Sequence, residues 1–344
     1  ATKNTMKLVF IGVFIAVLSV LLFFNLPSQQ TNEEVVTLTQ GKCKVEIGSQ
    51  VWIEGGTFTM GSGDFYPDEG PVHEVTVDGF WIDAHEVTNA QFEKFVEETG
   101  YVTVAERVPD PELLKGAPPE MFKPGSVTFT PPLKKGGYIT SWWSYTPGAN
   151  WRHPSGPDST IEGKDHYPVV QIAFEDAMAY ADWAGRRLPT EAQFEFAARN
   201  KLDQARYGWT GDELAPAGEH RANTWQGFFP VNNTEDDGYR GIAPVACYPA
   251  NDYGAYDLIG NVWEWTTNWY ASQHNPDDRT NPQGPERYVA TDPSKENFPE
   301  RVIKGGSYLC APNYCARYRP PARHAQDMGL GAEHIGFRTV ANPS

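Results

Sequence analysis

The chain is short of positive charge. It carries 28 Lys and Arg against 44 Asp and Glu, a formal net charge of -16 over 344 residues. Phosphate binding needs clustered cations, so this balance argues against nucleic acid as a partner and leaves a well-hydrated acidic surface. Internal repeats and low-complexity tracts are missing too, and from Val51 to Val340 no linker interrupts the even spread of aromatic residues, so one domain accounts for this stretch. Strand and helix patterns do not alternate, which excludes a doubly wound sheet. Cysteine is scarce, with four in all, and only Cys310 and Cys315 are close together. What is plentiful is Gly (32), Pro (28) and Trp (11). Such a mixture predicts many turns and irregular segments, held by large aromatic side chains instead of long regular helices.

One segment stands apart. Residues 8–24, LVFIGVFIAVLSVLLFF, run for 17 residues without a charge beside Lys3 and Lys7. At about 1.5 Å per residue this just crosses a hydrocarbon core. A cleaved signal peptide is the competing reading, but no small-x-small cleavage site follows, since the run ends Phe24-Asn25-Leu26-Pro27. The flanking lysines keep the N-terminal end in the cytoplasm and predict export of the rest. The expectation is a transmembrane signal anchor over 1–26, a polar tether over 27–49 and a single domain over 50–344. The localisation that follows is membrane-anchored and single-pass, with the domain on the periplasmic or extracytoplasmic side.

Three short helices are predicted. Thr88 and Gln91 have capping-box spacing ahead of Phe92, Phe95 and Val96. A second helix covers about 174–184 and ends at Gly185, a suitable left-handed cap. The third begins at Thr190, again with Gln three residues on, and buries Phe194 and Ala197. Strands are expected over 50–53, 72–77 and 301–303. So much loop calls for something extra to hold it, and calcium or disulfides are the usual candidates.

Cys310 and Cys315 lie in Gly305-Gly306-Ser307-Tyr308-Leu309-Cys310-Ala311-Pro312-Asn313-Tyr314-Cys315. In an exported domain such a pair reads first as a structural disulfide, and zinc would want four ligands from distant parts of the chain. The surroundings favour chemistry. Residues 301–323 hold Arg301, Lys304, Arg317, Arg319 and Arg323 and no carboxylate. Nearby cations favour thiolate, which is both nucleophile and metal ligand. Two soft thiolates suit copper(I) better than zinc, calcium or magnesium. Alternatively, these cations simply pair with distant carboxylates.

The same segment, from Arg301 through Cys315-Ala316-Arg317-Tyr318-Arg319, resembles the signature of the formylglycine-generating enzymes, the sulfatase-modifying factors. The resemblance continues through WIEGGTFTMG (52–61), FWIDAHE (80–86), GANWRHPSGPDST (148–160), WAGRRLPTE (183–191), GNVWEW (260–265) and Gly336-Phe337-Arg338. It runs in one order over about 50–341. GGTFTMG, RLPTE, GNVWEW and GFR also occur in relatives without the oxidase chemistry, so the cysteine pair and the 148–160 block discriminate.

The resemblance implies an α+β domain with low regular secondary structure, the formylglycine-generating-enzyme fold related to C-type lectins. It implies an oxygen-dependent oxidoreductase acting on a thiol donor. A cysteine in a Cys-x-Pro-x-Arg type motif of a sulfatase polypeptide becomes Cα-formylglycine, with molecular oxygen as oxidant. Cys310 and Cys315 would hold copper(I) as a nearly linear bis-thiolate, the substrate cysteine joining as third ligand. Ser307 matches the active-site serine. Two calcium sets are implied: Asn223, the Thr224 carbonyl, Asp237 and the Tyr239 carbonyl; and Glu86, Asp257, the Gly260 and Val262 carbonyls and Glu264. Positions of two disulfides known in secreted animal relatives are Ala181, Ala198, Pro320 and Thr339 here, so both bridges are absent. Cys43 and Cys247 take no family role. The alternative is a non-catalytic lectin-like binding or assembly subunit of a membrane complex. An iron-dependent sulfoxide synthase would need a histidine cluster on a further helical domain, for which the chain has no room.

Overall fold

A computed structural model describes residues 36–40, 43–131 and 142–343. The anchor expected over 1–26 lies outside the described residues, and among those described no helix is long and apolar enough to cross a membrane. The chain begins with strands β1 (Val36–Gln40), β2 (Cys43–Ile47), β3 (Gln50–Ile53), β4 (Gly56–Met60), β5 (His73–Val77) and β6 (Phe80–Asp83). Helix α1 (Asn89–Thr99), strands β7 (Gly125–Phe129) and β8 (Trp143–Pro147), and helices α2 (Phe174–Trp183) and α3 (Glu191–Arg199) follow. The last part holds β9 (Trp263–Trp269), β10 (Glu300–Lys304), β11 (Arg323–Asp327), β12 (Ile335–Gly336) and β13 (Val340–Ala341). The result is a mixed α+β domain with short elements and long loops, as expected.

The predicted helices form where their caps stand. Gln91 N–H donates to Thr88 Oγ1 at 3.3 Å, and Thr88 N–H donates back to Gln91 Oε1 at 3.0 Å. Thr190 and Gln193 repeat this reciprocal cap on α3. Helix α2 stops at Trp183, one residue short of the expected end, with Gly185 in the left-handed region at φ 67°. The main sheet has the order β11-β10-β9-β12, and a second sheet runs β13-β6-β3. Strand β9, WEWTTNW, is buried on both faces over most of its length. Its central Trp265 indole donates to the Ile172 carbonyl at 2.8 Å, which satisfies a polar group inside the core. Phe92, Phe95, Trp151, Tyr180 and Phe337 interlock edge to face beside it, with the Phe92 and Trp151 ring centroids 5.2 Å apart.

The N-terminal boundary differs from the expectation. Residues 36–40 and 43–47, inside the stretch read as a polar tether, pair as the antiparallel strands β1 and β2. Alternation explains the pairing: Cys43, Val45 and Ile47 point inward and are buried with Ala243, Val245 and Tyr248, while Glu46 is exposed. A disulfide joins Cys43 to Cys247 across 204 residues of sequence and pins the strand pair to the domain. Cross-linking so distant a pair restricts the unfolded chain strongly. Replacing both cysteines by serine is therefore expected to lower denaturant stability by about 2–4 kcal/mol. Peptide mapping without reductant should recover the Cys43 and Cys247 peptides linked to each other, and their recovery unlinked would contradict the bridge.

Candidate active site

The cysteine loop starts where β10 ends. Gly305 and Gly306 have φ of 94° and 78°, and a Cβ on Gly306 would lie 2.9 Å from the Tyr318 Cα, so glycine alone fits this crossing. The turn feeds Ser307 and Cys310 into the wall of a cavity of about 400 Å³ that also touches Tyr66, Trp143, Tyr314, Cys315 and His334. Backbone hydrogen bonds hold this loop against residues 223–261. Gly260 N–H donates to Gly305 O, Tyr308 N–H to Asn261 O, and Trp225 N–H to Cys310 O, each at 2.9 Å.

Cys310 and Cys315 are free thiols with sulfurs 3.2 Å apart. Their environments differ. Burial pushes the Cys310 thiol well above its ordinary range, and the neighbouring Cys315 adds to this. Cys315 is drawn down, first by the hydrogen bond from Cys310 and then by the Arg317 backbone N–H and the charges of Arg317 and Arg319. The two thiols therefore differ in acidity, Cys315 being the more acidic of the pair. The Ser307 N–H points at the Cys310 sulfur at 3.4 Å, and the Ser307 hydroxyl lies 3.1 Å from His334 Nδ1.

The basic segment is not a pool of free charge, and here the alternative sequence reading is the right one. Arg317 meets Asp68 at 3.0 Å, Arg319 grips Glu69 at 2.5 and 3.0 Å, Arg323 grips Glu191 at 2.7 and 3.0 Å, and Lys304 reaches Glu195 at 3.2 Å. Arg301 lies over the Trp269 and Phe174 rings. The carboxylates missing from 301–323 arrive from the 65–69 loop and from α3. Only the charges of Arg317 and Arg319 still bear on the thiols.

The proposed calcium ligands fall into two neighbouring groups. Glu86, Asp257 and Glu264 are buried around one guanidinium, that of Arg338, which Glu264 binds through both oxygens at 2.7 Å. Burial, then the negative charge of Asp257, raises Glu86 well above the carboxylate range, and burial lifts Asp257 to about 6. Glu86 Oε2 and Asp257 Oδ1 are buried with no hydrogen-bond partner. Unpaired buried carboxylate oxygens are what a hard cation would satisfy, so the Glu86 and Asp257 oxygens fit calcium, whereas both Glu264 oxygens are taken by Arg338. In the other group Asn223 Oδ1 is likewise unpartnered. Asp237, however, already accepts from Thr224 N–H, Gln226 Nε2 and Tyr239 N–H. The Thr224 carbonyl accepts from Gln226. Asn261 joins the groups by donating to Glu86 Oε1 while accepting from Asn223. Among the described residues, no three His, Cys, Asp or Glu side chains converge as a ready metal cluster. A calcium ion here would therefore draw on backbone carbonyls such as those of Gly260 and Val262.

Sequence reasoning passed over His334, Trp143, Tyr66 and Glu333. His334 lies two residues before Gly336-Phe337-Arg338, which was the available signal; Trp143 and Tyr66 have no local signature. The Trp143 ring packs on His334 at 4.6 Å.

These features define a class: a loop-rich α+β domain that sets a free thiol pair in a cavity and holds unpaired carboxylate oxygens in its interior. The family profile described as "Sulfatase-modifying factor enzyme 1-like domain" matches residues 35–343, and the chain belongs to that family, the formylglycine-generating enzymes. It is 49% identical over 294 residues to the formylglycine-generating enzyme of Mycobacterium tuberculosis, covering 85% of this chain and 97% of that one. It is also 37% identical over 319 residues to the inactive C-alpha-formylglycine-generating enzyme 2 of Bos taurus, covering 89% and 94%. The solved structure of PvdO from Pseudomonas aeruginosa shares the fold with a TM-score of 0.57 at 23% identity, over 86% of this chain and 94% of that one.

Glu333 supplies a pH test. Burial lifts its carboxyl from 4.5 to about 7, while Tyr308 OH donates to it at 3.4 Å. A raised folded value means the native state holds the proton more tightly than the unfolded chain. Its contribution to stability is present at low pH and lost as pH rises from 4.5 to about 7. Denaturation across this window should show wild type losing up to a few kcal/mol relative to Glu333→Gln. Parallel curves for the two proteins would refute the assignment.

Proposed function

We propose that this chain is an oxygen-dependent oxidoreductase that converts a cysteine in a Cys-x-Pro-x-Arg type motif of a sulfatase polypeptide to Cα-formylglycine. The observation carrying this reading is the partition of the four cysteines. Cys43 and Cys247 are bridged, whereas Cys310 and Cys315 stay free, 3.2 Å apart in one cavity. A purely structural pair would be expected to be bridged like the other. Fold alone does not decide, since a named inactive relative shares it.

Cys310 and Cys315 would hold copper(I), since two sulfur donors with no histidine or carboxylate in their set match the preference of a soft monovalent ion. Copper there would supply redox chemistry with molecular oxygen. The protein's own part is positional. The Ser307 N–H stabilises negative charge on the Cys310 sulfur, and its hydroxyl, anchored by His334, faces the same cavity. Trp143, Leu309 and Tyr314 wall the cavity with apolar surface that limits water. Calcium at Glu86 and Asp257 would brace the loop through the Gly260–Gly305 and Asn261–Tyr308 backbone bonds. The Cys43–Cys247 bridge is of the kind found in oxidising compartments, which supports a domain on the extracytoplasmic side.

The decisive assay incubates the protein with copper(I), oxygen and a sulfatase-derived cysteine peptide. Mass spectrometry should show formylglycine with wild type and none with Cys310→Ser or Cys315→Ser. A folded, copper-loaded wild type that leaves the peptide unchanged would move the assignment to a non-catalytic binding or assembly subunit. Removing calcium with a chelator should lower the thermal midpoint of wild type by several degrees and shift Asp257→Ala much less. Equal midpoints with and without chelator would exclude a structural calcium ion.

A further inference from the structure

His73 on β5 and His274, in the stretch after β9, line one cavity of about 290 Å³ that is separate from the cysteine cavity. Their ring centroids are 5.4 Å apart and the rings are tilted by 59°. Both are buried, His73 being 8% exposed and the His274 side chain 6%. One nitrogen of each ring already has a partner. His73 Nδ1 lies 2.9 Å from the Pro71 carbonyl, which can only accept, so this nitrogen carries the proton. His274 Nε2 lies 3.3 Å from Glu191 Oε1, in a carboxylate that Arg323 grips through both oxygens, so here the proton is on Nε2. The lone pairs are therefore left on His73 Nε2 and His274 Nδ1. His274 Nδ1 is buried with no hydrogen-bond partner. Gly61 keeps the space before it open, since a Cβ there would stand 3.3 Å from this nitrogen.

Imidazoles that bind a metal are held in this way. A backbone carbonyl or a carboxylate takes one N–H, which fixes the tautomer and leaves the other nitrogen to bond. The spacing agrees, because an ion about 2.0 Å from one nitrogen of each ring sets the centroids roughly 5–6 Å apart. Met60 adds a third donor. It is the Cα partner of His73 in the β4–β5 pair, is buried, and lines the same cavity. Zinc would want four ligands, and among the described residues no three His, Cys, Asp or Glu side chains converge. Two imidazoles and a thioether, all neutral, suit copper(I) better.

We propose that His73 and His274, with Met60, form a copper(I) site separate from the cysteine pair. Arg323 and His324 follow one another on β11. Arg323 lines the histidine cavity and His324 the cysteine cavity, so this strand stands between the two. The assignment rests on the imidazoles alone and holds whatever chemistry the thiols perform.

The test uses the full chain carrying Cys310→Ser and Cys315→Ser, titrated anaerobically with copper(I) against a chelator of known affinity. One ion per chain should be retained. Adding His73→Phe, which keeps a ring in the cavity, should weaken retention by at least about 100-fold, and Met60→Leu by about tenfold. Long-range NMR correlations to the ring nitrogens, recorded with both histidines native, should show His73 Nε2 and His274 Nδ1 shifting when copper(I) is added. Failure to retain an ion, retention unchanged by either substitution, or shifts confined to His324 and His334 would overturn the site. Zinc held in preference to copper(I) would overturn the choice of ion. Conversion of the sulfatase peptide is measured on the protein with its cysteines intact. Copper(I) held by the histidines without conversion keeps this site and discards the oxidase.

Discussion

Buried ion pairs between distant segments are what the rest of this structure depends on. Arg319 with Glu69, Arg323 with Glu191, Lys304 with Glu195 and Arg338 with Glu264 are all nearly or fully inaccessible to water. The first three join segments far apart in sequence, while Arg338 with Glu264 reinforces the parallel β12–β9 pairing. Replacing such a pair wholesale by apolar residues can be neutral, but removing one partner strands a charge in the interior at a cost of about 3–5 kcal/mol. In a domain with three α-helices of 9–11 residues among the described elements, this penalty makes loop positions nearly as determinate as core strands. Aromatic packing supplies the bulk of the burial, and the ion pairs choose which loops meet.

The same pairs control the reactive centre. Arg317 and Arg319 sit two and four positions past Cys315, yet their charge is largely committed to Asp68 and Glu69. What remains draws the Cys315 thiol down, while burial pushes the neighbouring Cys310 thiol up. The two sulfurs differ because Cys310 is fully buried, whereas Cys315 is partly exposed and hydrogen-bonded to it. Helix and strand play little direct part; backbone bonds from loop to loop do the positioning.

A second constraint runs through Asn261. Its side chain joins Glu86, Asn223 and Ala243, and its carbonyl accepts from Tyr308 just before the cysteines. Carboxylates suited to calcium and sulfurs suited to copper thus share one hydrogen-bonded frame. Two backbone bonds, Gly260 to Gly305 and Tyr308 to Asn261, tie the two loops together.

Much of this was legible in the residues. Capping boxes at Thr88 and Thr190 marked two helix starts because a side chain three residues ahead meets the free N–H groups at close range. The ordered motifs from Trp52 to Arg338 revealed the family and the fold class. Less legible was anything that depends on meeting at a distance. The β1–β2 pair looked like a tether, since its inward-facing residues are few and its bridge partner lies 204 positions away. The arginines of 301–323 looked unpaired because their carboxylates come from 68, 69 and 191. His334 and Trp143, which share the cavity with Ser307, were invisible for the same reason. By itself the sequence determined local structure and donor chemistry, because both act over a few bonds. Only the tertiary structure decided which charges cancel and which sulfurs stay free, because those outcomes turn on through-space distances of about 3 Å, the range over which hydrogen bonds and ion pairs form.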